Sequence, residues 1–395
     1  MLVSSHGDEG NSRIPRLPPD ILPLFDDAFV RSCELFEEYV FRCAIGVFRE
    51  VGLADACGHA ATTMQAIERA RLDPGAAAVP VDWILRELAA HGVLTVAASD
   101  ENGTRYLLAN ALPHLEADSI LEEQSRLDPG TLPSYAIARL AAEHYPAVLR
   151  GETTGERVLF APDRIGAWFD YFAAGNSIYA ISNIIGAIAA ERAFPTGGGA
   201  ILELGGGLGS GAAALLDRVD TSGRSGELSH YRFTELSTPF LRRAQRTLAA
   251  RFAGRPLAFA RMDMNEPFAA AGAAEGAYVL VYGVNTLHVA HDLAFTLAEI
   301  RRTLQPGGKL VLSECVRPFP GVPVYVEFVF NLLEAFRSPI IVPSWRPNGG
   351  FLTPEQWTGA LEAGGFADVR LFPDIVALRD ACPSLVIAAI VATRV

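Results

Sequence analysis

Apolar runs that end in or lead to an ionisable residue recur along the second half of the chain. They cover residues 200–204, 231–235, 257–263, 277–284 and 309–314. Apolar positions at helical spacing over 294–304 predict a helix between the last two runs. Buried strands that alternate with helices are typical of an α/β domain with a parallel sheet. The pattern therefore predicts a doubly wound sheet over 196–395.

A glycine-rich turn follows the first of these runs, and Glu203 stands near the end of the strand before it. Gly205, Gly207 and Gly209 permit backbone angles and close approaches that a Cβ would block. The helix predicted after them offers free N–H groups to a polar ligand. A dinucleotide fingerprint beginning at Gly207 would place Ala212 at its third small position. A dinucleotide as the ligand is therefore an open alternative, and so is a βα turn that binds no ligand.

Ionisable side chains also mark the ends of the later runs. The carboxyl ends of parallel strands meet at one edge of a sheet, where ligands bind. A carboxylate at Glu235 can accept hydrogen bonds from both ribose hydroxyls, whereas Asp263 is either a ligand contact or a capping or turn residue. An imidazole titrates near neutrality, so His288 can take a proton and Glu314 can orient it. A structural histidine is the alternative.

The glycine turn and the strand-end acids resemble the motifs of class I S-adenosyl-L-methionine (SAM) methyltransferases, which have a Rossmann-like fold. The acid two residues before the first glycine favours this family over dinucleotide-binding proteins. The resemblance implies SAM across the turn, with its ribose at Glu235, its adenine at Asp263 and Met262 or Met264 against the ring. No metal is expected. The cofactor-binding residues are then Glu203, Gly205, Gly207, Gly209, Glu235, Asp263 and Met264.

Residues 155–395 resemble the C-methyltransferase domains of polyketide synthases. That family has a strand ending in Asn-x-Leu-His, an Asp shortly after it, and Pro-Gly-Gly before a strand ending in Glu. The matching residues here are Asn285, Leu287, His288, Asp292, Pro306, Gly307, Gly308 and Glu314. The resemblance implies that His288 and Glu314 are the catalytic dyad. A tryptophan pair usual in the family is replaced by Ala335 and Phe336, which leaves the shape of the acceptor site open.

The segment 316–350 interrupts the predicted domain and is rich in proline at both ends. We predict a helix over 324–336 and a lid over the acceptor; an insertion that packs into the core is the alternative. A helix that closes over the cofactor in the polyketide family matches the region before the first strand. Four side chains of these two regions are candidate substrate contacts: Tyr171, Tyr179, Phe328 and Asn331. Core packing is the alternative for the aromatic ones.

The N-terminal part has a different pattern. An amphipathic helix over 81–92 precedes a predicted hairpin of 94–98 and 105–109. This winged-helix outline is similar to the dimerisation domain of small-molecule O-methyltransferases, which also use a histidine base at the position of His288. Their His-Asp-Trp sequence is absent, since Val289 and Ala290 follow the histidine. The two resemblances agree on SAM and the base, and disagree on whether carbon or oxygen receives the methyl group.

These patterns divide the chain into three parts. We predict a winged-helix-like dimerisation domain over 19–115, a helical bridge over 116–195 and the SAM-binding domain with its lid over 196–395. The resemblance of 19–115 to the O-methyltransferase dimerisation domain implies a homodimer through this part, and several apolar side chains would be exposed in a monomer. They are Phe25, Phe29, Leu35, Phe36 and Phe41.

Composition narrows the choice of partners and location. A net charge of −12 on 395 residues argues against nucleic-acid binding by the winged outline. Five scattered cysteines without zinc or CxxC spacing favour a reducing cytoplasm. The longest apolar run, near 178–190, is too short to span a membrane, and 1–18 predicts a disordered leader rather than a signal peptide. The expected partner is a small-molecule or carrier-bound acceptor.

Three functions are therefore compared. The first is methyl transfer to an activated carbon, or to a hydroxyl, of a secondary metabolite. The second is a SAM-fold enzyme with other chemistry, such as cyclisation. The third is a ligand-binding dimer, against which the presence of both His288 and Glu314 argues, because binding alone needs no base.

Overall fold

The computed structural model describes residues 17–101, 103–380 and 385–395. Residues 1–16 of the predicted leader, Asn102 in the hairpin turn and Cys382 lie outside the described residues. The described helices are α1 (Asp27–Glu50), α2 (Leu53–Ala56), α3 (Thr63–Ala70), α4 (Pro74–Ala90), α5 (Asp118–Leu127), α6 (Leu132–Leu149), α7 (Gly155–Leu159), α8 (Ile165–Tyr171), α9 (Ser177–Ala193), α10 (Ser210–Thr221), α11 (Thr238–Arg251), α12 (Leu293–Thr303), α13 (Glu327–Phe330), α14 (Glu334–Arg337), α15 (Pro354–Ala363) and α16 (Ile375–Leu378). The strands are β1 (Thr95–Asp100), β2 (Gly103–Leu107), β3 (Gly199–Leu204), β4 (Leu228–Glu235), β5 (Leu257–Arg261), β6 (Tyr278–Val284), β7 (Leu304–Cys315), β8 (Phe366–Phe372) and β9 (Ile387–Arg394).

Within the described residues, the C-terminal half forms one sheet of seven strands in the order β5-β4-β3-β6-β7-β9-β8. The five strands from β5 to β7 are parallel, and β8 and β9 are antiparallel to their neighbours. The chain moves outward from β3 to β5 and then returns to pair β6 with β3. The crevice at this reversal is where doubly wound sheets bind ligands. The predicted α/β fold is confirmed.

The N-terminal helices share a core with the insertion, and α1, α4 and α6 contribute Phe36, Trp83, Tyr135 and Tyr145 to it. Helix α9 instead packs on the sheet, against β6, β7 and β9. The two-stranded hairpin β1-β2 stands beside the helices. The domain boundaries at 115 and 195 stay predictions, as does the winged-helix assignment.

Helix α9 contains the apolar run near 178–190. Among the described residues, no helix has the length and apolar character needed to cross a membrane. The apolar side chains of α9 pack within the molecule, where Ile185 and Ile188 are buried against the sheet.

The apolar side chains that suggested a homodimer are covered within a single chain. Phe25, Leu35, Phe36 and Phe41 are at most 6 % exposed, and Phe29 is half-buried. The prediction that a monomer would expose them is wrong, because later helices and the insertion pack over α1, and Phe25 packs into the core beside the sheet. A homodimer therefore has no support from these residues.

The helix predicted over 324–336 is also wrong. Two short helices, α13 and α14, stand there, and Leu333 between them is extended. The start of α7 explains the break, since a Cβ on Gly155 would lie 2.0 Å from the backbone oxygen of Leu332. In addition, the backbone N–H of Glu334 donates to Glu156 Oε1 at 2.6 Å. The close approach of α7 thus replaces one regular helix with two turns.

Candidate active site

The glycine turn after β3 is held tightly except at one position. A Cβ on Gly205 would lie 2.0 Å from Thr286 Oγ1, and one on Gly209 would lie 2.8 Å from Leu248 Cδ1. Both glycines have a positive φ, as does Gly207 at +57°. A Cβ on Gly207, however, would meet no described atom within 4 Å. The backbone of this residue therefore faces open space, where a ligand can approach it.

Glu235 at the end of β4 is brought to this turn. Its Oε2 accepts a hydrogen bond from the Gly207 N–H at 2.9 Å, and its Oε1 accepts one from the Ser237 N–H at 2.6 Å. Burial raises the pKa of Glu235, and the backbone donors partly oppose that rise. The carboxylate thus joins β4 to the glycine turn, and its contact with a ribose stays a prediction.

Glu203 lies beneath the same turn and is 1 % exposed. Its Oε2 accepts a hydrogen bond from the Tyr231 hydroxyl at 2.9 Å. Burial raises the pKa of Glu203 to about 8. Close by, Asn183 Nδ2 has no hydrogen-bond partner among the described residues. An unpaired buried polar group beside a glycine turn fits the polar end of a bound cofactor such as SAM.

Asn183 was not expected from the sequence. It lies on α9 and lines a small space at the turn together with Glu203, Gly205 and Ser210. A polar residue inside an apolar helix was the available signal. The helix that carries it precedes the sheet in the chain, so no strand-end rule points to it.

Asp263, the predicted adenine contact, has the hydrogen bonds of a turn residue. Asp263 Oδ1 accepts hydrogen bonds from the backbone N–H and the side-chain amide of Asn265, at 2.9 and 3.0 Å. Met262 is buried and Met264 is half-buried, and both contribute to the core on that side of the sheet. The turn role left open for Asp263 is therefore present, and an adenine contact for it and for Met264 stays a prediction.

His288 and Glu314 are brought into direct contact. His288 lies in a short turn after β6, and Glu314 lies near the end of the neighbouring parallel strand β7. His288 Nδ1 is 2.7 Å from Glu314 Oε2, and the two residues are 4 % and 0 % exposed. The other oxygen, Oε1, accepts the backbone N–H groups of Thr286 and Leu287 at 3.1 and 2.8 Å. The carboxylate is thus fully hydrogen-bonded.

The hydrogen bond to Glu314 fixes which ring nitrogen of a neutral His288 carries the proton. An ionised carboxylate only accepts hydrogen bonds, so the proton of a neutral His288 lies on Nδ1. Nε2 then carries the lone pair, and it has no hydrogen-bond partner within the described part of the chain. The imidazole can therefore take a proton at Nε2.

Asn285 explains how the chain brings the histidine to β7. It has a positive φ of 47°, a backbone region that Asn tolerates better than most residues. Its backbone N–H donates to the Ser313 oxygen at 2.7 Å, and its side-chain oxygen accepts the Cys315 N–H at 2.9 Å. The side chain thus continues the pairing of β6 with β7 while the backbone turns away.

Arg346 holds the same turn from the other side. Its guanidinium donates to the backbone oxygens of His288 and Ala290, each at 2.7 Å. It is 1 % exposed, and burial lowers its pKa to about 10. The ring centroids of Phe351 and Phe336 lie 4.7 and 5.9 Å from the imidazole. The sequence analysis named Phe336 for the acceptor site. It missed Arg346 and Phe351, because Arg346 lies 58 positions after His288 and no strand-end motif marks either residue.

The imidazole faces a mainly apolar cavity of about 220 Å³ between the helical core, the insertion and the sheet edge. Its lining includes Tyr171, Tyr179, Asn285, His288, Cys315, Tyr325, Phe330 and Phe351. Phe172 and Tyr179 also line the space at the glycine turn, so the two spaces adjoin. Burial raises the pKa values of Tyr171 and Tyr179, which keeps both phenols neutral.

The remaining two predicted substrate contacts are elsewhere. Phe328 is fully buried and stacks on Tyr145, with ring centroids 4.6 Å apart. Asn331 lines a different cavity, beside α4. Tyr171 and Tyr179 are thus brought to the histidine, whereas Phe328 and Asn331 are not.

Comparison with known proteins finds methyltransferases and polyketide synthases among the similar proteins. Residues 202–312 match a family described as a methyltransferase domain. The highly reducing polyketide synthase acrA of Aspergillus aculeatus is 27 % identical over 242 residues, which are 59 % of this chain and 9 % of that protein. The chain thus matches less than a tenth of this relative's length.

Solved structures show the same fold over nearly the whole chain. The CurJ carbon methyltransferase has a TM-score of 0.75 at 20 % identity and covers 95 % of both chains. The CMeT domain of the citrinin polyketide synthase has a TM-score of 0.69 at 19 % identity, over 95 % of this chain and 98 % of that one. At this identity the likeness is one of fold.

Proposed function

Because this chain carries a SAM-dependent methyltransferase domain, we propose that it methylates an activated carbon of a polyketide-like acceptor, with His288 as general base. The observation that carries the proposal is the hydrogen bond of His288 Nδ1 to the buried Glu314, which leaves Nε2 facing an apolar cavity. A histidine base can serve a carbon acid or a hydroxyl. The choice of carbon therefore rests on the similarity to polyketide synthases and on the C-methyltransferase-like motif around His288.

The residues at the glycine turn would hold the cofactor. Gly207 leaves room for close approach, and Asn183 has an unpaired amide that would bind the amino-acid end. The contact of Glu235 with the Gly207 N–H supports a role for this carboxylate at the ribose. When bound, SAM supplies an electrophilic methyl group. The adjoining cavity supports a position for the acceptor on the side of the turn where His288 lies.

The chain's own part in the reaction is proton removal. A carbon between two carbonyl groups is acidic enough for one imidazole to deprotonate it, so no metal is required by this step. His288 takes the proton at Nε2, and Glu314 stabilises the imidazolium that forms. The apolar wall of Phe330 and Phe351 keeps water from the enolate. The imidazolium then returns its proton to solvent.

The class of acceptor follows from the relatives and the cavity. The relative named above is a polyketide synthase, and polyketide intermediates carry β-carbonyl groups. A lining that is mainly aromatic and aliphatic suits an acyl chain, and the neutral phenols of Tyr171 and Tyr179 can donate to carbonyl oxygens. We therefore propose a β-ketoacyl thioester, free or on a carrier protein.

The test is the position of the transferred methyl group. The protein is incubated with methyl-labelled SAM and a β-ketoacyl thioester, either as an N-acetylcysteamine ester or on a carrier protein, and the product is located by mass spectrometry and NMR. The proposal predicts the label on the α-carbon. A label on oxygen would identify an O-methyltransferase instead. Conversion of the acceptor without a label would identify other chemistry on the same fold.

A further inference from the structure

A second cavity, of about 630 Å³, lies between α4 and the insertion. It shares no lining residue with the His288 cavity within the described residues. The two cavities are on opposite sides of one segment, since Tyr325 and Phe330 line the first whereas Glu327, Asn331 and Arg337 line the second. The second cavity is thus separate from the proposed active site.

Three of the residues that line this second cavity carry unpaired donors. Trp83 Nε1, Asn331 Nδ2 and Arg337 Nε are shielded from solvent, and none has a hydrogen-bond partner among the described residues. Trp83 and Asn331 are 1 % and 3 % exposed. A buried N–H without an acceptor is costly, and several around one cavity are unusual. All three are donors, so a ligand that satisfies them must present oxygen acceptors.

The charges around the second cavity favour an anion. Arg86 is paired with Asp82 at 2.8 Å, and Arg317 is paired with Glu327. Arg337 donates to the backbone oxygen of Ala76 at 2.7 Å and has no carboxylate partner in the described part of the chain. The lining therefore carries one uncompensated positive charge. A negatively charged ligand would both neutralise it and accept the free N–H groups.

The rim of the same cavity is apolar. Met64, Val79 and Ile341 line it and are 51 %, 38 % and 45 % exposed. Large apolar side chains exposed together around a cavity indicate that an apolar surface covers them when a ligand is bound. The ligand thus combines an anionic head with an apolar body.

We propose that the second cavity binds an organic oxyanion, a carboxylate or a phosphate ester carried on an apolar body. The head accepts hydrogen bonds from Trp83, Asn331 and Arg337, and the body covers the apolar rim. This proposal concerns binding alone and does not depend on the methyl transfer proposed above.

The experiment is a calorimetric titration of the full chain with benzoate and with phenyl phosphate, and with uncharged benzamide as the control ligand. Saturable binding of one acid per chain is expected, with benzamide much weaker. Trp83→Phe removes one N–H and keeps the ring against Phe328. It should weaken acid binding roughly 10- to 100-fold, as expected for a hydrogen bond to a charged group. Asn331→Asp should abolish binding by placing a like charge at the site.

Trp357→Phe is the matched control variant. The Trp357 indole N–H is also buried and unpaired, but it lies in the core beside the sheet and not at this cavity. It should bind the acids as the wild type does. Binding of only one of the two acids identifies the head group and supports the proposal. Equal affinity for benzamide, wild-type affinity in Trp83→Phe and Asn331→Asp, or no binding of either acid at millimolar concentration would overturn it.

Discussion

The hydrogen bond between His288 and Glu314 decides which imidazole nitrogen is free to take a proton. Glu314 Oε1 is occupied by two backbone N–H groups, so only Oε2 is available to the ring. Both residues are nearly inaccessible, and water therefore competes little with this contact. The consequence at the scale of single residues is that the dyad tolerates little change in either partner.

We expect His288→Ala to lower turnover of a β-ketoacyl thioester by roughly 10²- to 10⁴-fold, the usual contribution of a general base. Binding of S-adenosylhomocysteine should stay at the wild-type level, because the imidazole lies outside the glycine turn. Steady-state kinetics and calorimetry check the two parts. Wild-type turnover in this variant would mean that the acceptor ionises without help from the chain.

Glu314→Gln should cost about as much, roughly 10²- to 10⁴-fold. If the amide oxygen stays on the Thr286 and Leu287 N–H groups, the NH₂ group faces His288 Nδ1 and forces it to accept. The ring proton then lies on Nε2, and the base is lost although the geometry is intact. The rate constant for methyl transfer in a single turnover checks this. A loss of only a few-fold would show that orientation by Glu314 is unimportant.

The raised pKa of Glu203 predicts that the stability of the folded chain depends on pH. Its folded-state pKa of about 8 lies above the value of about 4.3 expected in the unfolded chain. The folded chain therefore holds a proton that the unfolded chain has lost, so this residue's contribution to stability falls as pH rises from about 5 to 8. Glu203→Gln should remove that loss. The free energy of unfolding of the variant minus that of the wild type should therefore increase with pH, by on the order of 1 kcal/mol or more.

Urea unfolding at pH 5.5 and pH 8.5 measures this change. The exposed Glu275→Gln serves as the control and should follow the wild type at both values. A constant difference between Glu203→Gln and wild type across this range would contradict the assignment of a protonated Glu203 to the folded state.

The glycine turn offers the clearest test at the scale of one element. Gly207→Ala places a Cβ at a positive φ but against no described atom, and Gly223→Ala does the same after the end of α10. Both should lose about 1 kcal/mol of stability from backbone strain. Only Gly207→Ala should weaken binding of S-adenosylhomocysteine, by about tenfold or more. Equal affinity in the two variants, measured by calorimetry, would remove the cofactor from this turn.

The insertion acts on the dyad through Arg346. Arg346→Met leaves the backbone oxygens of His288 and Ala290 without their buried donor. Thermal unfolding should show a loss of about 2 kcal/mol, since an unsatisfied buried acceptor costs about 1–3 kcal/mol. Turnover should fall while cofactor affinity stays, because the turn that carries the imidazole loosens. The exposed Arg370→Met is the control, and equal turnover in the two variants would limit Arg346 to a structural role.

At the scale of the whole molecule, the site needs the helical core, the insertion and the sheet edge together. The helical core supplies Phe36 and Ser134 to the cavity, the insertion supplies Tyr325 and Phe330, and the sheet edge supplies His288. No single part encloses the cavity. This arrangement explains why the sheet alone, although it matches a methyltransferase family over 202–312, does not define an acceptor.

The same division explains what the sequence could predict. The strands, the glycine turn and the positions of Glu235, His288 and Glu314 follow local rules, since strand order in a doubly wound sheet brings these ends together. Arg346 and Phe351 contact the dyad only through the path of the insertion, which no periodicity describes. Phe328 was assigned to the acceptor because it is aromatic, and its side chain instead packs against Trp83 and Tyr145.

The central claim is that His288 removes a proton from carbon, and hydrogen exchange at that carbon tests it most directly. A β-ketoacyl thioester is incubated in D₂O with the protein and S-adenosylhomocysteine, so that no methyl group is available, and deuterium at the α-carbon is followed by NMR. We predict exchange faster than the uncatalysed rate with the wild type, and exchange at the uncatalysed rate with His288→Ala. Equal exchange rates with the two proteins would contradict the assignment of His288 as the base.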